Sequence, residues 1–208
     1  MSGVQPLKFE APDSGEEIAR ADLYGVLEIL FYEPPSQALL DTIAKSVDDA
    51  AAEGDGVLQQ TWKSLADACG KTDANRVRDE YESLFVGVGK PEVMLYGSWY
   101  LSGFMMEKPL AALRDELAQL GLQRDARMPE SEDHIAALCE VMRYLIASND
   151  PLHANLETQR RFFAEHLQPW ANAMCDAIAG HPQAHFYRSV AQLAKTFFEV
   201  EMQAFDML

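Results

Sequence analysis

Apolar residues along the chain recur every three or four positions rather than every second one, the spacing that gathers them on one face of a helix. From Glu16 onward, Leu23, Leu27 and Leu30 form such a stripe with Tyr24 and Phe31 beside it. Pro34 and Pro35 end it, because proline disfavours helical geometry in the residue before it. Ser36 stands where an N-cap would precede Leu39, Leu40, Ile43 and Val47, and the turn Glu53-Gly54-Asp55-Gly56 separates this helix from one carrying Leu58, Trp62 and Leu65. Thr72 or Asp73 can cap a fourth helix through Val77, Tyr81, Leu84 and Phe85, which Gly87, Gly89 and Pro91 close. Beyond that loop the pattern predicts a short helix over 98–106. Pro109 then opens a helix with Leu110, Leu113, Leu117 and Leu120 on one face and Gly121 as its stop. Ile135, Leu138, Met142 and Leu145 repeat the spacing up to Asn149-Asp150-Pro151. A whole or broken helix covers 155–179, and Phe186, Val190, Leu193, Phe197 and Val200 mark the last.

No run alternates with period two between hairpin turns, and the best apolar stretch outside the helices, Val93 to Leu95, is too short to found a sheet. The fold class is therefore all-α. The pattern predicts a single helical bundle of about nine to ten helices over 16–208 behind a flexible leader at 1–15, with 87–108 a candidate hinge between two halves. No repeat of fixed period is present.

Charge narrows the choice of partner. With 17 Lys+Arg against 33 Asp+Glu, the 208-residue chain carries a formal charge of −16. Such a chain does not attract phosphate backbones or anionic lipid, so nucleic acid is excluded and a charged partner should be cationic. At 48% hydrophobic it is too apolar for a disordered chain. Cys69, Cys139 and Cys175 form no closely spaced pair, which favours reduced thiols over a disulfide scaffold. The first residues lack a secretory signal pattern, and no stretch approaches the roughly 20 apolar residues of a spanning helix. A cytoplasmic protein without stable membrane insertion is expected.

Candidate chemistry is sparse. Glu130-Ser131-Glu132-Asp133-His134 sets carboxylates beside an imidazole, a combination that can bind metal or shuttle protons. The same residues after Pro129 also suit the first turn of a helix, where negative charge meets the positive end of the helix dipole. Ser131 is followed three residues later by His134 rather than Glu, so the full capping box is absent. His181 and His185 lie four apart, but Gly180 and Pro182 read as a turn, and no Glu follows His181 as a zinc-protease helix requires. His166 reads as a helix-end histidine that caps carbonyls or packs on Trp170. No nucleophile elbow or dinucleotide fingerprint occurs, and Gly87-Val88-Gly89-Lys90 lacks the second half of a phosphate cradle. No metal or cofactor is expected. The enzymatic alternative is a metal-dependent hydrolase built on Glu132, Asp133, His134 and His166. Met94, Tyr96, Trp99, Tyr100, Phe104, Met105 and Met106 crowd one short stretch, which suits either a core or a groove for an apolar peptide. In an acidic chain, such a groove fits a peptide with a basic end and a hydrophobic middle, the design of a signal peptide.

The run Tyr81-Glu82-Ser83-Leu84-Phe85-Val86-Gly87-Val88-Gly89-Lys90-Pro91, followed by Tyr96-Gly97-Ser98-Trp99-Tyr100-Leu101-Ser102-Gly103, resembles the signature of the TorD/DmsD/NarJ family of molybdoenzyme-specific chaperones. Glu130-Ser131-Glu132-Asp133-His134 resembles the family's Glu-Pro-Glu-Asp-His motif, with Ser131 in place of the usual proline. His166, Leu167, Pro169 and Trp170 match its His-Leu-x-Pro-Trp block, a structural motif, and the similarity extends over most of residues 16–205. The resemblance implies an all-helical cytoplasmic protein that binds the twin-arginine signal peptide of an unfinished molybdenum enzyme, prevents premature export and keeps the apoenzyme open to cofactor insertion. Its implied partners are the signal peptide and body of a molybdopterin oxidoreductase catalytic subunit, together with molybdenum cofactor biosynthesis proteins. The chain itself would be a monomer or a domain-swapped dimer. Carried over by motif, Leu84, Phe85, Asp133 and His134 bind the peptide, with Pro91, Tyr96, Trp99 and Tyr100 as neighbours. In this reading Leu84, Phe85 and the Trp99/Tyr100 region receive the apolar segment, while Asp133 and Glu130 or Glu132 face the arginines. A NarJ-like service to an enzyme that is never exported, with a remnant signal as the recognised segment, is a third reading.

Overall fold

Ten α-helices and one π-helical turn make up the helical structure of the described residues. They are α1 (Ser14–Tyr32), α2 (Gln37–Lys45), α3 (Val57–Gly70), α4 (Ala74–Tyr81), the π turn Glu82–Val86, α5 (Gly97–Ser102), α6 (Lys108–Gln119), α7 (Ile135–Ala147), α8 (Leu156–His166), α9 (Ala171–Gly180) and α10 (Phe186–Asp206). This computed structural model describes residues 14–46, 56–105, 107–125, 127–148, 150 and 153–207. Val47, Glu53-Gly54-Asp55, Met106, Asn149, Pro151 and most of the expected leader lie outside the described residues. Among the described residues there is no strand, only an isolated antiparallel bridge between Tyr96 and His134.

The helix boundaries follow local chemistry. Ser36 accepts the Leu39 N–H at the start of α2, Asp73 accepts those of Asn75 and Arg76 at the start of α4, and Asn155 accepts that of Thr158 in α8. Gly121 follows α6 at a φ of +67°, a conformation that glycine adopts without steric cost. Pro169 falls between α8 and α9, so the helical pattern over 155–179 is broken. The short helix expected over 98–106 is already finished at Ser102, where Gly103 turns left-handed.

The predicted stripes meet in one core. α1 packs along α7, α10 lies against α3 and α9, α2 crosses α3, and α8 covers the far end of α7. Leu27, Leu30, Leu110, Leu113, Ile135, Leu138, Met142 and Leu145 are all buried in the same cluster. From α4, Glu80 reaches across to α10 and accepts the N–H groups of His185, Phe186 and Tyr187 at 2.8, 3.0 and 2.8 Å. These are backbone donors that the first turn of a helix cannot satisfy internally.

One position departs from the apolar pattern. Val200, expected in the core, is 42% exposed, and its neighbour Glu201 is 1% exposed instead. Glu201 receives the Arg20 guanidinium through two bonds, 2.7 and 2.8 Å long, and the Tyr24 hydroxyl at 3.0 Å, tying α10 to α1. Arg20→Met should leave that buried carboxylate with a single donor and cost about 3 kcal/mol, read as a lowered urea midpoint. A midpoint unchanged within error would show that the clamp contributes nothing net.

Candidate functional site

Three sequence blocks converge on a short extended crossing. The Gly97 N–H donates to the Asp133 carbonyl and the Ile135 N–H to the Leu95 carbonyl, both at 2.9 Å, so 95–97 and 133–135 run side by side. Successive side chains of an extended segment point to opposite sides, and Asp133 and His134 are separated accordingly. Asp133, 3% exposed, accepts the Ser98 N–H at 2.9 Å on one oxygen and the Ser131 hydroxyl on the other, which places its charge at the start of α5. His134 is the N-cap of α7, its Nδ1 accepting the Ala136 N–H at 3.2 Å.

Trp170 closes the crossing from above. Its indole N–H donates to the His166 carbonyl at 2.6 Å, and its ring stacks on Tyr100 at a centroid distance of 5.5 Å. A β-carbon at Gly97 would sit 2.9 Å from the indole nitrogen, so the close approach requires glycine there. The His166 ring turns elsewhere, donating from Nε2 to the buried Glu116 at 2.7 Å. Glu116 also takes Arg161 at 3.2 Å.

On the His134 side lies a groove of about 280 Å³ between α1, α7 and the segment that follows α6. Its apolar lining comes from Tyr32, Leu117, Leu122, Met128, Ala137, Val141 and Tyr144, and its acidic residues are Glu28, Asp125, Glu130, Glu132 and Glu140. Tyr96 donates its hydroxyl to Glu130. Glu132 holds Arg114 at 2.8 Å, with Arg124 at 3.8 Å. Burial alone would raise the Glu132 carboxyl, but the Arg114 hydrogen bond and the two guanidinium charges outweigh it and hold the group below the usual carboxylate range.

The residues grouped by sequence fall into four environments. Glu130, Glu132 and His134 line the groove, whereas Asp133 faces the opposite side. Leu84 is fully buried in the core, and Phe85 meets Tyr81 and Tyr187 edge to face at 5.2 and 4.9 Å. Trp99 is half-buried beneath Lys90, whose ammonium lies 5.0 Å from the ring centroid, and Pro91 is half-buried nearby. The helix after the acidic motif begins at Ile135 rather than beside Ser131, so the cap is His134, and Ser131 serves Asp133 instead. His166 reaches Trp170 through its backbone carbonyl, not by ring packing. The groove residues Tyr32, Met128 and Val141 carried no local motif. Tyr32 and Val141 stand at the edges of the α1 and α7 stripes, whereas Met128 lies in the segment between α6 and α7.

Glu132, Asp133, His134 and His166 do not assemble as metal ligands. Among the described residues the group with ligand atoms close enough is Glu116, Glu165 and His166, in which Glu116 is already paired with Arg161. A family profile described as nitrate reductase delta subunit matches residues 51–176, more than half of the chain. The chain belongs to the NarJ/TorD family of molybdoenzyme-specific chaperones. It is similar to the chaperone protein TorD of Vibrio cholerae, with 24% identity over 214 residues covering 91% of this chain and 93% of that one. It is also 28% identical over 117 residues to the Tat proofreading chaperone DmsD of Salmonella typhimurium, 55% of each chain. In fold it matches the crystal structure of a protein described as a redox enzyme maturation protein from Archaeoglobus fulgidus. That match has a TM-score of 0.54 at 17% identity, covering 94% of this chain and 99% of the other. The family and these relatives are chaperones rather than catalytic enzymes, and the hydrolase reading is not favoured.

The acidic motif of this NarJ/TorD chain also makes its stability depend on pH. Burial pushes the His134 imidazole down to about 4, against the opposing effects of Glu130 and Asp133. Its value in the unfolded chain is 6.5, so as pH falls the unfolded state takes up the proton first. The stability contributed by neutral His134 is fully present above pH 6.5 and is lost progressively as pH falls towards 4. His134→Asn keeps an N-cap acceptor that does not titrate. Thermal melts across this range should show a shallower acid decline for the variant than for the parent, and identical slopes would exclude His134 as the cause.

Proposed function

We propose that the groove between α1 and α7 holds the signal peptide of an apo-molybdoenzyme in the cytoplasm, delaying export and keeping the enzyme open to cofactor insertion. The observation that carries this reading is the combination of an apolar lining with carboxylates on a chain of charge −16, which complements a peptide with basic and hydrophobic parts. No helix among the described residues is long and apolar enough to cross a membrane. The relatives' printed names, chaperone and Tat proofreading chaperone, support a role before export, and the client is then a molybdopterin oxidoreductase catalytic subunit. Molybdenum cofactor biosynthesis proteins would act on the client while it is held.

Within this reading Glu130, Glu132 and His134 contribute directly to the groove. Leu84, Phe85, Tyr96, Tyr100 and Asp133 act through the fold, fixing the crossing that presents His134. Pro91 and Trp99, half-buried and outside the groove lining, are left for the body of the client that follows its leader. Since exposed charges are screened over about 8 Å at physiological ionic strength, association should slow as salt rises.

Calorimetric titration with the synthetic signal peptide of a candidate client tests the assignment. Ala137→Trp, which fills the groove, should weaken binding by about tenfold or more, equivalent to about 1.4 kcal/mol. Asp133→Asn should lower the melting temperature while leaving the dependence on the peptide's arginines intact. Equal affinity for the parent and the groove-filled variant would sink the groove as the binding site.

A further inference from the structure

The carboxylates around the groove are not equivalent. Glu132 is held by Arg114 and Arg124, Glu130 takes the Tyr96 hydroxyl, and Asp125 pairs with Arg127 at 2.6 Å. Glu140 is held by both arms of Arg143, at 2.6 and 2.7 Å. Glu28, in the second half of α1, also lines the groove, is half-buried, and has no hydrogen bond or ion pair among the described residues. Its neighbours compensate it only in part: the charge of Arg143 favours the ionised form but its guanidinium is engaged by Glu140, and Glu33 adds a like charge at the same helix end.

An ionised carboxylate withdrawn from water without a donor is costly, and the cost is relieved when a cation arrives. We infer that Glu28 is the receptor for an arginine side chain of the bound peptide, a role that neither the sequence motifs nor the family resemblance assigns to α1. The inference rests on the groove reading above. Guanidinium is the chemistry favoured, because its planar fork can engage both oxygens of a carboxylate while the apolar lining takes up the peptide's next residues. Burial first, then the charge of Glu140, raise the Glu28 carboxyl above its usual range even though Arg143 opposes them, consistent with a carboxylate that lacks a full counter-charge.

The occupied carboxylates sharpen the assignment. A peptide arginine bound at Glu132 would have to displace two of the chain's own guanidiniums, and one at Glu140 would have to break a two-pronged pair. At Glu28 nothing is displaced. One carboxylate can grip one arginine in this way, so of two adjacent peptide arginines one should matter far more than the other.

The probe is a synthetic peptide with two adjacent arginines ahead of an alanine- and leucine-rich segment, compared with copies in which either arginine is citrulline, of the same shape but uncharged. The parent protein should lose about tenfold or more in affinity with one of the two citrulline peptides. Glu28→Gln should bind the arginine and citrulline forms equally within about twofold, while Asp22→Asn, an equal charge change on the same helix, should keep the parent's preference. Melting curves confirm that each variant is folded, and Glu28→Ala serves as a second test of the same position. A full arginine preference in folded Glu28→Gln and Glu28→Ala, with binding still blocked by Ala137→Trp, overturns the role of Glu28 and leaves the groove reading standing. Binding that Ala137→Trp does not disturb removes both.

Discussion

A buried carboxylate can persist only if the protein supplies what water would have given it, and Asp133 imposes that requirement on the centre of this fold. The Ser98 amide and the Ser131 hydroxyl meet it, so the start of α5 and the loop before α7 must sit together. Two backbone hydrogen bonds then lay 95–97 alongside 133–135. Trp170 can reach over that crossing because position 97 has no side chain. The blocks that stand far apart in sequence are therefore parts of one polar and aromatic joint, and His134 faces the groove because its neighbour faces the joint.

This joint also explains what could be read from the chain beforehand. The leucine stripes of α1, α6 and α7 announced their helices, and Ser36 and Asp73 their caps, since these signals act within a turn or two of the backbone. Asp133 and His134 looked like one functional pair because they are adjacent. Adjacency means separation in an extended segment, and only the pairing with 95–97 reveals that the segment is extended. Likewise Leu84 and Phe85, which continue the apolar spacing of α4, fall in a separate π turn at Glu82–Val86, and both are buried in the core rather than open to a peptide.

The groove itself was not legible for a different reason. Tyr32, Met128 and Val141 come from three separate parts of the chain, and nothing in their local spacing joins them. Charge told only half the story. The overall excess of acid was plain, yet several groove carboxylates are neutralised by the chain's own arginines, a pairing set by tertiary contacts such as Arg114 with Glu132. Total charge governs how a cationic partner approaches from a distance, while the pattern of pairing decides where it can stop.

The clamp between Arg20, Tyr24 and Glu201 gives the last helix an influence beyond its own surface. No α10 residue lines the groove, yet α10 grips one side of the helix whose other side forms a groove wall. α1 thus resembles a jaw held from behind, and its angle to α7 is set partly by a fastening on the far side of the protein. The width of the opening is in this sense a property of where the two ends of the described chain are joined.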